Sequence, residues 1–264
     1  VGKAHLLGFG SFEGVKKTKG ELYDYLRRTS DKVFINVDNP HLRQMAAERN
    51  LQSDPERPYS LLLPYGLDYQ GGVILFSDEK HPFLRILCGG VLINTNLVGS
   101  YNADNVMAAI AVGAHFGVSF EDAVKAIESY VPSNNRSQMT KTEHNTLIVD
   151  AYNANPTSMA AALENFSNVS ADCRIAMLGD MLELGEDSAA EHEAVIASAL
   201  SRNFCKVFFV GKEFAAVSVA SDNAMFFQTS DELAEYLKSN PLQGATVLIK
   251  GSRGTRMEKV ITVL

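Results

Sequence analysis

The chain has 264 residues, with 24 Lys and Arg against 31 Asp and Glu, and a formal net charge of −7. Hydrophobic residues make up 46% and charged residues 21%, which is typical of a globular protein and excludes an intrinsically disordered one. No apolar run approaches the ~20 residues of a membrane span, and no basic run favours nucleic acid. The three cysteines are widely spaced, as in proteins of a reducing cytosol. We therefore expect a cytoplasmic protein that neither inserts into a membrane nor binds nucleic acid.

The first half of the chain predicts a mixture of strands and helices. Ser119, with Asp122 three positions later, is a capping pattern that marks the start of the second helix. The predicted elements are strands at Val33–Val37, Gly71–Phe76 and Phe83–Leu87, a loop at Gln52–Pro58, and helices at Asn102–His115 and Ser119–Ser129.

The second half alternates strands with helices after a polar stretch, residues 131–136, which we interpret as a hinge. Alternation with four or five strands predicts a parallel or mostly parallel sheet covered on both faces. We place the boundary between two domains after residue 135. The predicted strands are Thr146–Asp150, Arg174–Leu178, Lys206–Val210, Ala224–Phe227 and Thr246–Ile249. The predicted helices are one that begins at Pro156, one around Ala189–Leu200, one at Asp231–Lys238 and a last one near Arg256.

Three polar loops follow predicted strands, where open α/β sheets bind their ligands. The first, Asp150–Pro156, contains Asn153 and Asn155, whose amides suit a peptide-like ligand; the alternative is an Asx-rich turn with a helix cap. The second, Gly179–Gly185, reads as a loop with a solvated carboxylate. The third, Lys250–Gly254, contains Lys250, Ser252 and Arg253, a composition that suits a carboxylate or phosphate but also occurs in loops without function.

The glycines near the start do not form a nucleotide-binding motif. The third glycine of Gly8–Gly14 is one place late for a dinucleotide fingerprint, and no glycine is followed by the Lys-Thr or Lys-Ser of a phosphate loop. His5 and Lys19 could serve a divalent cation or a substrate, or be ordinary surface or core residues. Arg136 in the hinge could reach a phosphate, or be a solvated linker residue.

Taken together, these segments resemble the Mur ligase family, in its D-alanyl-D-alanine-adding branch. The similarity covers almost the whole chain, and Tyr-Asn-Ala-Asn-Pro with Gly-Asp-Met-Leu-Glu-Leu-Gly is the pair specific to this branch. The matching blocks are Ala4–Ser11 with Lys19–Glu21, Gly99–Asn105, Asp150–Met159, Leu178–Gly185 with His192, and Lys250–Arg253.

The resemblance implies an α/β fold in which residues 1–135 are the rear part of a P-loop-type ATPase central domain. Residues 136–264 would then be a Rossmann-like α/β C-terminal domain. The implied enzyme is a monomeric ATP-dependent ligase of peptidoglycan synthesis, which joins D-Ala-D-Ala to UDP-MurNAc-tripeptide through an acyl-phosphate and uses ATP and Mg²⁺.

The resemblance also implies roles for individual residues. Matched block by block, His5 would bind Mg²⁺ and Lys19 would be carbamylated beside the second metal. Both would take part in catalysis, as would Arg136 by holding a phosphate. The ATP-binding residues would be Asn102, Asn105, Arg136 and Asp150, and the residues on the dipeptide side would be Asn153, Asn155, Lys250, Ser252 and Arg253.

The chain departs from the family in a few places. Tyr101 stands where many relatives have His, and Val149 precedes Asp150 where an Asp pair is common. The family's UDP-substrate domain and phosphate loop would precede Val1, so we expect a truncated chain that is inactive alone. Two alternatives stay open at this stage: a related Mur-type ligase with another amine substrate, and a nucleotide- or peptide-binding module without catalysis.

Overall fold

The computed structural model describes residues 6–30, 32–51, 62–75, 81–132 and 138–264. The chain divides into two compact units, which are described separately. Unit 1 comprises Val1–Leu75, Leu84–Thr95 and Tyr101–Tyr130, and unit 2 comprises Phe76–Phe83, Asn96–Ser100 and Val131–Leu264.

Unit 1 contains five helices and two small sheets in its described part. In chain order its elements are α1 Leu6–Phe9, α2 Phe12–Thr29, β1 Val33–Asn36, α3 Pro40–Glu48, β2 Leu62–Tyr65, β3 Val73–Leu75, β4 Arg85–Cys88, β5 Val91–Asn94, α4 Ala103–His115 and α5 Phe120–Ser129. Strands β1 and β2 pair in parallel, and β3, β4 and β5 form an antiparallel sheet. The predicted strands and helices of this half are confirmed, but α1, α2, α3, β2 and β5 were not predicted. The predicted loop at 52–58 lies outside the described residues.

Side-chain caps fix where the helices of unit 1 begin. Ser119 Oγ accepts a hydrogen bond from the Asp122 amide at 3.1 Å, which confirms the predicted capping pattern. Asn39 Oδ1 accepts from the amides of His41 and Leu42, and Pro40 occupies the first turn of α3, where a missing N–H costs nothing. These caps satisfy amides that a helix start would otherwise leave without a partner.

Unit 2 is built around one six-stranded sheet. Its elements are β6 Gln138–Lys141, β7 Thr146–Asp150, α6 Pro156–Ser167, β8 Arg174–Gly179, α7 Ser188–Leu200, β9 Lys206–Val210, α8 Lys212–Ala216, β10 Ala224–Phe227, α9 Ser230–Ser239 and β11 Thr246–Lys250. The strand order is β10-β9-β8-β11-β7-β6, with five parallel strands and an antiparallel β6 at the edge. The predicted mostly parallel α/β sheet is therefore confirmed. The helix predicted near Arg256 is a 3-10 segment, Met257–Val263.

The order in which the chain adds parallel strands to this sheet reverses after β10. From β7 to β10 each crossover moves toward the same edge, whereas the connection from β10 returns to β11 between β8 and β7. Because parallel crossovers are right-handed, α6, α7 and α8 cover one face and α9 covers the other. The packing agrees, since α7 contacts α6 and α8, and α9 contacts the last 3-10 segment.

The strands of unit 2 could be predicted from the sequence because they are buried. The central strands are continuous apolar runs, and β8, β9 and β11 are buried over nearly their whole lengths. Such runs are typical of a parallel sheet with both faces covered. Since the five strands are parallel, their carboxyl ends meet at one edge, and the loops after them lie side by side.

Candidate functional site at the carboxyl edge of the sheet

An ion pair joins the ends of two adjacent strands. Lys250, the last residue of β11, is the register partner of Asp150, the last residue of β7. The Lys250 Nζ lies 2.6 Å from Asp150 Oδ2 and donates a longer bond, 3.3 Å, to the Asn153 carbonyl. The Lys250 side chain is only 1% exposed and that of Asp150 is 14% exposed. Two residues predicted for opposite sides of the site are thus bound to each other, and the pair holds the loop after β7.

The asparagine loop after β7 starts helix α6. Asn155 Oδ1 accepts from the Ser158 amide at 2.9 Å, and Ser158 Oγ accepts from the Asn155 amide at 3.1 Å, which together form a capping box. The side-chain oxygen of Asn155 therefore caps helix α6 in this structure. Asn153 is exposed, as is Arg253, whose guanidinium carbon lies 5.8 Å from the ring centroid of Tyr152.

Ser252 links three of the loops. Its Oγ accepts from the Leu182 amide at 3.0 Å and lies 3.4 Å from the Ala154 carbonyl, while its own amide donates to the Asp180 carbonyl at 3.1 Å. Ser252 is buried, with 5% of its surface exposed, and its hydrogen bonds join the loops after β7, β8 and β11. Its position predicts that a ligand would contact the surrounding loops more than this hydroxyl.

Asp180 lies in the loop that we interpreted as containing a solvated carboxylate, but it is buried, at 4% exposure. Its two oxygens accept from the amides of Glu213 and Phe214 at 3.1 and 3.0 Å, at the start of α8. Burial raises the pKa of Asp180 above the ordinary aspartate value, and the two amide bonds act in the opposite direction. The interpretation fits Glu183, which is exposed, but not Asp180, because the sequence does not show that α8 begins against the Asp180 side chain.

His192 hydrogen-bonds to the loop after β8. Its Nε2 accepts from the Met181 amide at 3.1 Å, and its Nδ1 lies 2.7 Å from the Ser188 carbonyl. This arrangement requires a neutral ring with its proton on Nδ1. The imidazole is fully buried and packs edge-to-face on Phe214, so it is a positioning residue. The matched block pointed to His192, but the spacing alone could not predict its contacts.

In unit 1, the structure brings Asn102 and Asn105 together. Asn105 Nδ2 donates to Asn102 Oδ1 at 3.1 Å where α4 begins, and Asn102 is buried while Asn105 is exposed. Lys19 is exposed on α2, and its neighbour Gly20 packs so tightly on Arg49 that an added Cβ would lie 2.2 Å from the guanidinium. A Gly at position 20 therefore lets α2 approach α3.

Two predicted site residues, His5 and Arg136, lie outside the described residues. Among the residues that are described, no group of three or more His, Cys, Asp or Glu side chains is placed to hold a metal ion. Lys19 alone does not complete such a site, so these residues do not by themselves account for Mg²⁺. A search of the described helices finds none with the length and apolarity needed to cross a lipid bilayer.

An open, mostly parallel sheet with interlocked polar loops at its carboxyl edge defines the class of α/β ligand-binding proteins. Comparison with protein families then identifies the group within this class. The Mur ligase middle domain matches residues 1–113, and the Mur ligase glutamate ligase domain matches residues 135–253. The chain belongs to the Mur ligase family.

Curated relatives share a further name. The chain is 33% identical to UDP-N-acetylmuramoyl-tripeptide--D-alanyl-D-alanine ligase of Treponema pallidum, over 100% of this chain and 56% of the relative. The ligase of the same name from Bacillus subtilis is 30% identical over 99% of this chain and 57% of its own length. The chain thus spans little more than half the length of the relatives it matches.

Solved structures agree with this family. MurF from Acinetobacter baumannii superposes with a TM-score of 0.79 and 24% identity, over 99% of this chain and 57% of that one. The MurF ligase of Thermotoga maritima, solved in complex with ADP, gives a TM-score of 0.77 and 21% identity, over 100% of this chain and 59% of that one. At such identities the likeness establishes the shared fold and confirms the predicted fold class.

Proposed function

We propose that this chain is part of an ATP-dependent ligase that joins D-Ala-D-Ala to UDP-MurNAc-tripeptide. The observation that carries the proposal is the similarity of nearly the whole chain to ligases of that name. The geometry supports it, since the branch-specific blocks at Asp150–Pro156 and Gly179–Gly185 meet at one edge of the sheet, fastened through Ser252. The proposal includes a cytoplasmic, monomeric protein divided after residue 135.

The reaction would proceed in two steps. A carboxylate oxygen of the tripeptide attacks the γ-phosphorus of ATP, and the bond to the β-γ bridging oxygen breaks to release ADP. The dipeptide ammonium loses one proton to solvent and its amine then attacks the acyl carbon. The C–O bond to phosphate breaks, the second amine proton leaves with the phosphate, and an amide remains. Asn102 and Asn105 would contact the adenine, and Arg136 and Asp150 the phosphate or ribose side.

Mg²⁺ would offset phosphate charge in the first step, by analogy with the family. His5 and a carbamylated Lys19 would be its protein partners, but the described residues do not complete that site. We therefore assign no step to the metal from this structure.

The primary test is phosphate release by the complete gene product, with this chain as the control. ATP, Mg²⁺ and UDP-MurNAc-tripeptide are present throughout, and D-Ala-D-Ala is added or withheld. Release that depends on the dipeptide supports the proposal. Release that responds instead to another amine would indicate a different Mur-type ligase, and no release would overturn the activity.

Asn155→Asp tests whether the Asn155 amide contacts the dipeptide. Aspartate caps a helix as well as asparagine does, so stability should be kept while the Nδ2 donor is lost. We expect the dipeptide KM to rise about tenfold, as for one lost hydrogen bond to a charged or buried group. Asn39→Asp is the matched control, because Asn39 also caps a helix that begins with Pro. An unchanged dipeptide KM would remove Asn155 from the substrate site.

Lys19→Ala tests the carbamate role in the complete protein. We expect activity to fall at least 100-fold, the order of a lost electrostatic contribution, with partial recovery on adding acetate or formate. Lys17→Ala changes another exposed lysine of α2 and should keep activity. Full activity of the Lys19 variant would refute the assignment.

A further inference from the structure

Two of the three cysteines meet at the amino edge of the sheet of unit 2. Cys173 comes directly before β8, and Cys205 comes directly before β9, the adjacent parallel strand. The ladder between these strands continues to the cysteines, since the Cys205 amide donates to the Arg174 carbonyl at 2.8 Å. Cys88, the third cysteine, is buried in unit 1. Strand pairing thus brings together two cysteines that are far apart in the sequence.

The two thiols are in contact. The Cys173 thiol hydrogen-bonds to Cys205, whose own thiol donates to the Asp172 carbonyl at 4.0 Å. Because Ile175 pairs with Lys206, the two cysteines are diagonal neighbours, one position out of register. Strands lie about 4.8 Å apart and rise about 3.3 Å per residue, so diagonal neighbours have Cα atoms about 6 Å apart. A disulfide joins Cα atoms about 4.4–6.8 Å apart, so the backbone holds these cysteines at a separation that a disulfide can bridge.

The two thiols differ in access and in acidity. Cys205 is exposed, whereas Cys173 is half-buried and packs against the apolar core of the sheet. Burial is the largest cause that raises the pKa of Cys173 to about 11, and the hydrogen bond to Cys205 and the charge of its thiolate act in the same direction. Because the thiolate is the nucleophile in disulfide chemistry, a soluble oxidant reacts first with Cys205. An accessible thiol beside a second, resolving thiol is typical of a reversible redox site.

We infer that Cys173 and Cys205 form a reversible disulfide site that reacts with low-molecular-weight disulfides of the glutathione type. The Cys205 thiolate attacks one sulfur of the reagent, whose S–S bond breaks to release one thiolate. The Cys173 thiolate then attacks the Cys205 sulfur of the mixed disulfide and displaces the second thiolate. The two cysteine protons go to the two released thiolates, so the protein loses two electrons and the reagent gains them.

The first step prepares the second. Once Cys205 carries the reagent, its thiolate charge no longer opposes the ionisation of Cys173, so the second nucleophile forms more readily. The resolving thiol is therefore kept protonated until a mixed disulfide is present beside it.

The bridge ties together the amino ends of β8 and β9. The closed loop, residues 173–205, contains β8, α7 and the polar loop at 179–185. That loop lies at the opposite edge of the sheet, about 20 Å away for a strand of 6 residues. Oxidation therefore stabilises the folded unit by restraining its unfolded state, without placing a group in the candidate site.

The test places the complete protein, native or unfolded in urea, in mixtures of reduced (GSH) and oxidised (GSSG) glutathione. Acid stops the exchange, the remaining thiols are alkylated, and tryptic peptides are identified by mass spectrometry. Cleavage after Arg174, Arg202 and Lys206 puts Cys173 and Cys205 on separate peptides, so a bridge between them is detected directly.

Three single variants separate the two steps. Cys173→Ser should stop at a mixed disulfide of glutathione on Cys205, because the resolving thiol is lost. Cys205→Ser should leave Cys173 largely unmodified, because that thiol is half-buried and its pKa is high. Cys88→Ala is the matched control and should form the bridge as the wild-type protein does.

We expect native protein to be half oxidised at a value of [GSH]²/[GSSG] about 100-fold higher than protein in urea, because a disulfide that stabilises the fold is favoured by the fold to the same extent. Dithiothreitol should reverse the bridge. Native protein without a bridge between residues 173 and 205 would overturn the inference, as would equal midpoints in native and unfolded protein. Modification of Cys173 ahead of Cys205 in the native protein would also overturn it.

Discussion

Two aspartates at the carboxyl edge of one sheet have their charges compensated in different ways. Asp150 ends β7 and is paired with the buried ammonium of Lys250, which is 100 residues away in the chain. Asp180 follows β8 and receives two backbone amides from the first turn of α8. The strands β7 and β8 flank the same central strand, β11. Equivalent positions in a sheet therefore do not imply equivalent chemistry.

The difference shows which part of the site is held by side chains and which by backbone. The Asp150 pair depends on one distant residue, and either partner can be replaced to test it. The Asp180 contact depends on close approach: a Cβ on Gly211 would lie 2.1 Å from the Asp180 carboxyl carbon. Four sets of substitutions distinguish side-chain from backbone contacts at this edge of the sheet, with effects that decrease from Asp150 to Asn155.

Removing Asp150 should have the largest effect. Asp150→Ala leaves a 1% exposed ammonium whose remaining partner among the described residues is the Asn153 carbonyl, which should lower the free energy of unfolding by about 3–5 kcal/mol. Lys250→Met should cost less, because Asp150 is nearer to water. Urea denaturation measures both, and the double variant should recover much of the loss since neither charge remains. Equal and additive losses would show that the two residues are not coupled.

Closing the space beside Asp180 should have the next largest effect. Gly211→Ala combines a disfavoured φ with overlap on the carboxylate, and we expect a loss of about 2–4 kcal/mol in the free energy of unfolding. Gly244→Ala is the matched control, because Gly244 has φ +68° and no atom near its added Cβ. It should lose only about 1 kcal/mol from backbone strain. Similar losses at both glycines would mean that contact with Asp180 contributes nothing.

The raised pKa of Asp180 predicts a pH dependence of smaller size. Between the ordinary value of 3.8 and the raised value, the folded state binds more protons than the unfolded state. Stability from this group is therefore complete below 3.8 and declines as pH rises through the folded pKa, by at most about 1.4 kcal/mol per pH unit. Asp180→Asn removes the titration, so the wild-type advantage over this variant should shrink as the pH rises above 3.8. A growing advantage would mean that the amide bonds outweigh burial.

The helix cap should give the smallest change. Asn155→Ala removes the acceptor for the Ser158 amide and should lower the free energy of unfolding by about 1 kcal/mol. Asn155→Asp should leave stability within about 0.5 kcal/mol, because the cap is kept. Thermal unfolding of both variants measures the difference. Equal stability of the alanine and aspartate variants would contradict a capping role.

The sequence predicted the sheet of unit 2 well, because its buried parallel strands are unbroken apolar runs. It missed β2, since Pro64 argues against a strand, although Pro64 lies in β2 opposite Ile35. It also missed α2, whose charged residues and internal glycines obscure the helical period. Local sequence patterns do not predict tertiary contacts such as the pairing of β2 with β1.

The site was predicted in part for the same reason. Polar loops after strands at Asp150, Gly179 and Lys250 could be identified, because they are local features. The Lys250–Asp150 pair depends on the order of strands in the sheet, and the burial of Asp180 depends on where α8 begins. Neither can be read from the spacing of residues along the chain.

The central place of β11 bears on how the protein is made. Among the strands of unit 2, β11 leaves the ribosome last, yet β7 and β8 each pair with it and not with each other. Until β11 has been synthesised, β7 and β8 lack the strand that lies between them, and Asp150 lacks its ion-pair partner Lys250. Long-range parallel pairing of this kind is slow to form and exposes strand edges meanwhile. Folding of unit 2 should therefore be completed only after translation has passed Lys250, and ligand-binding ability should appear at that moment.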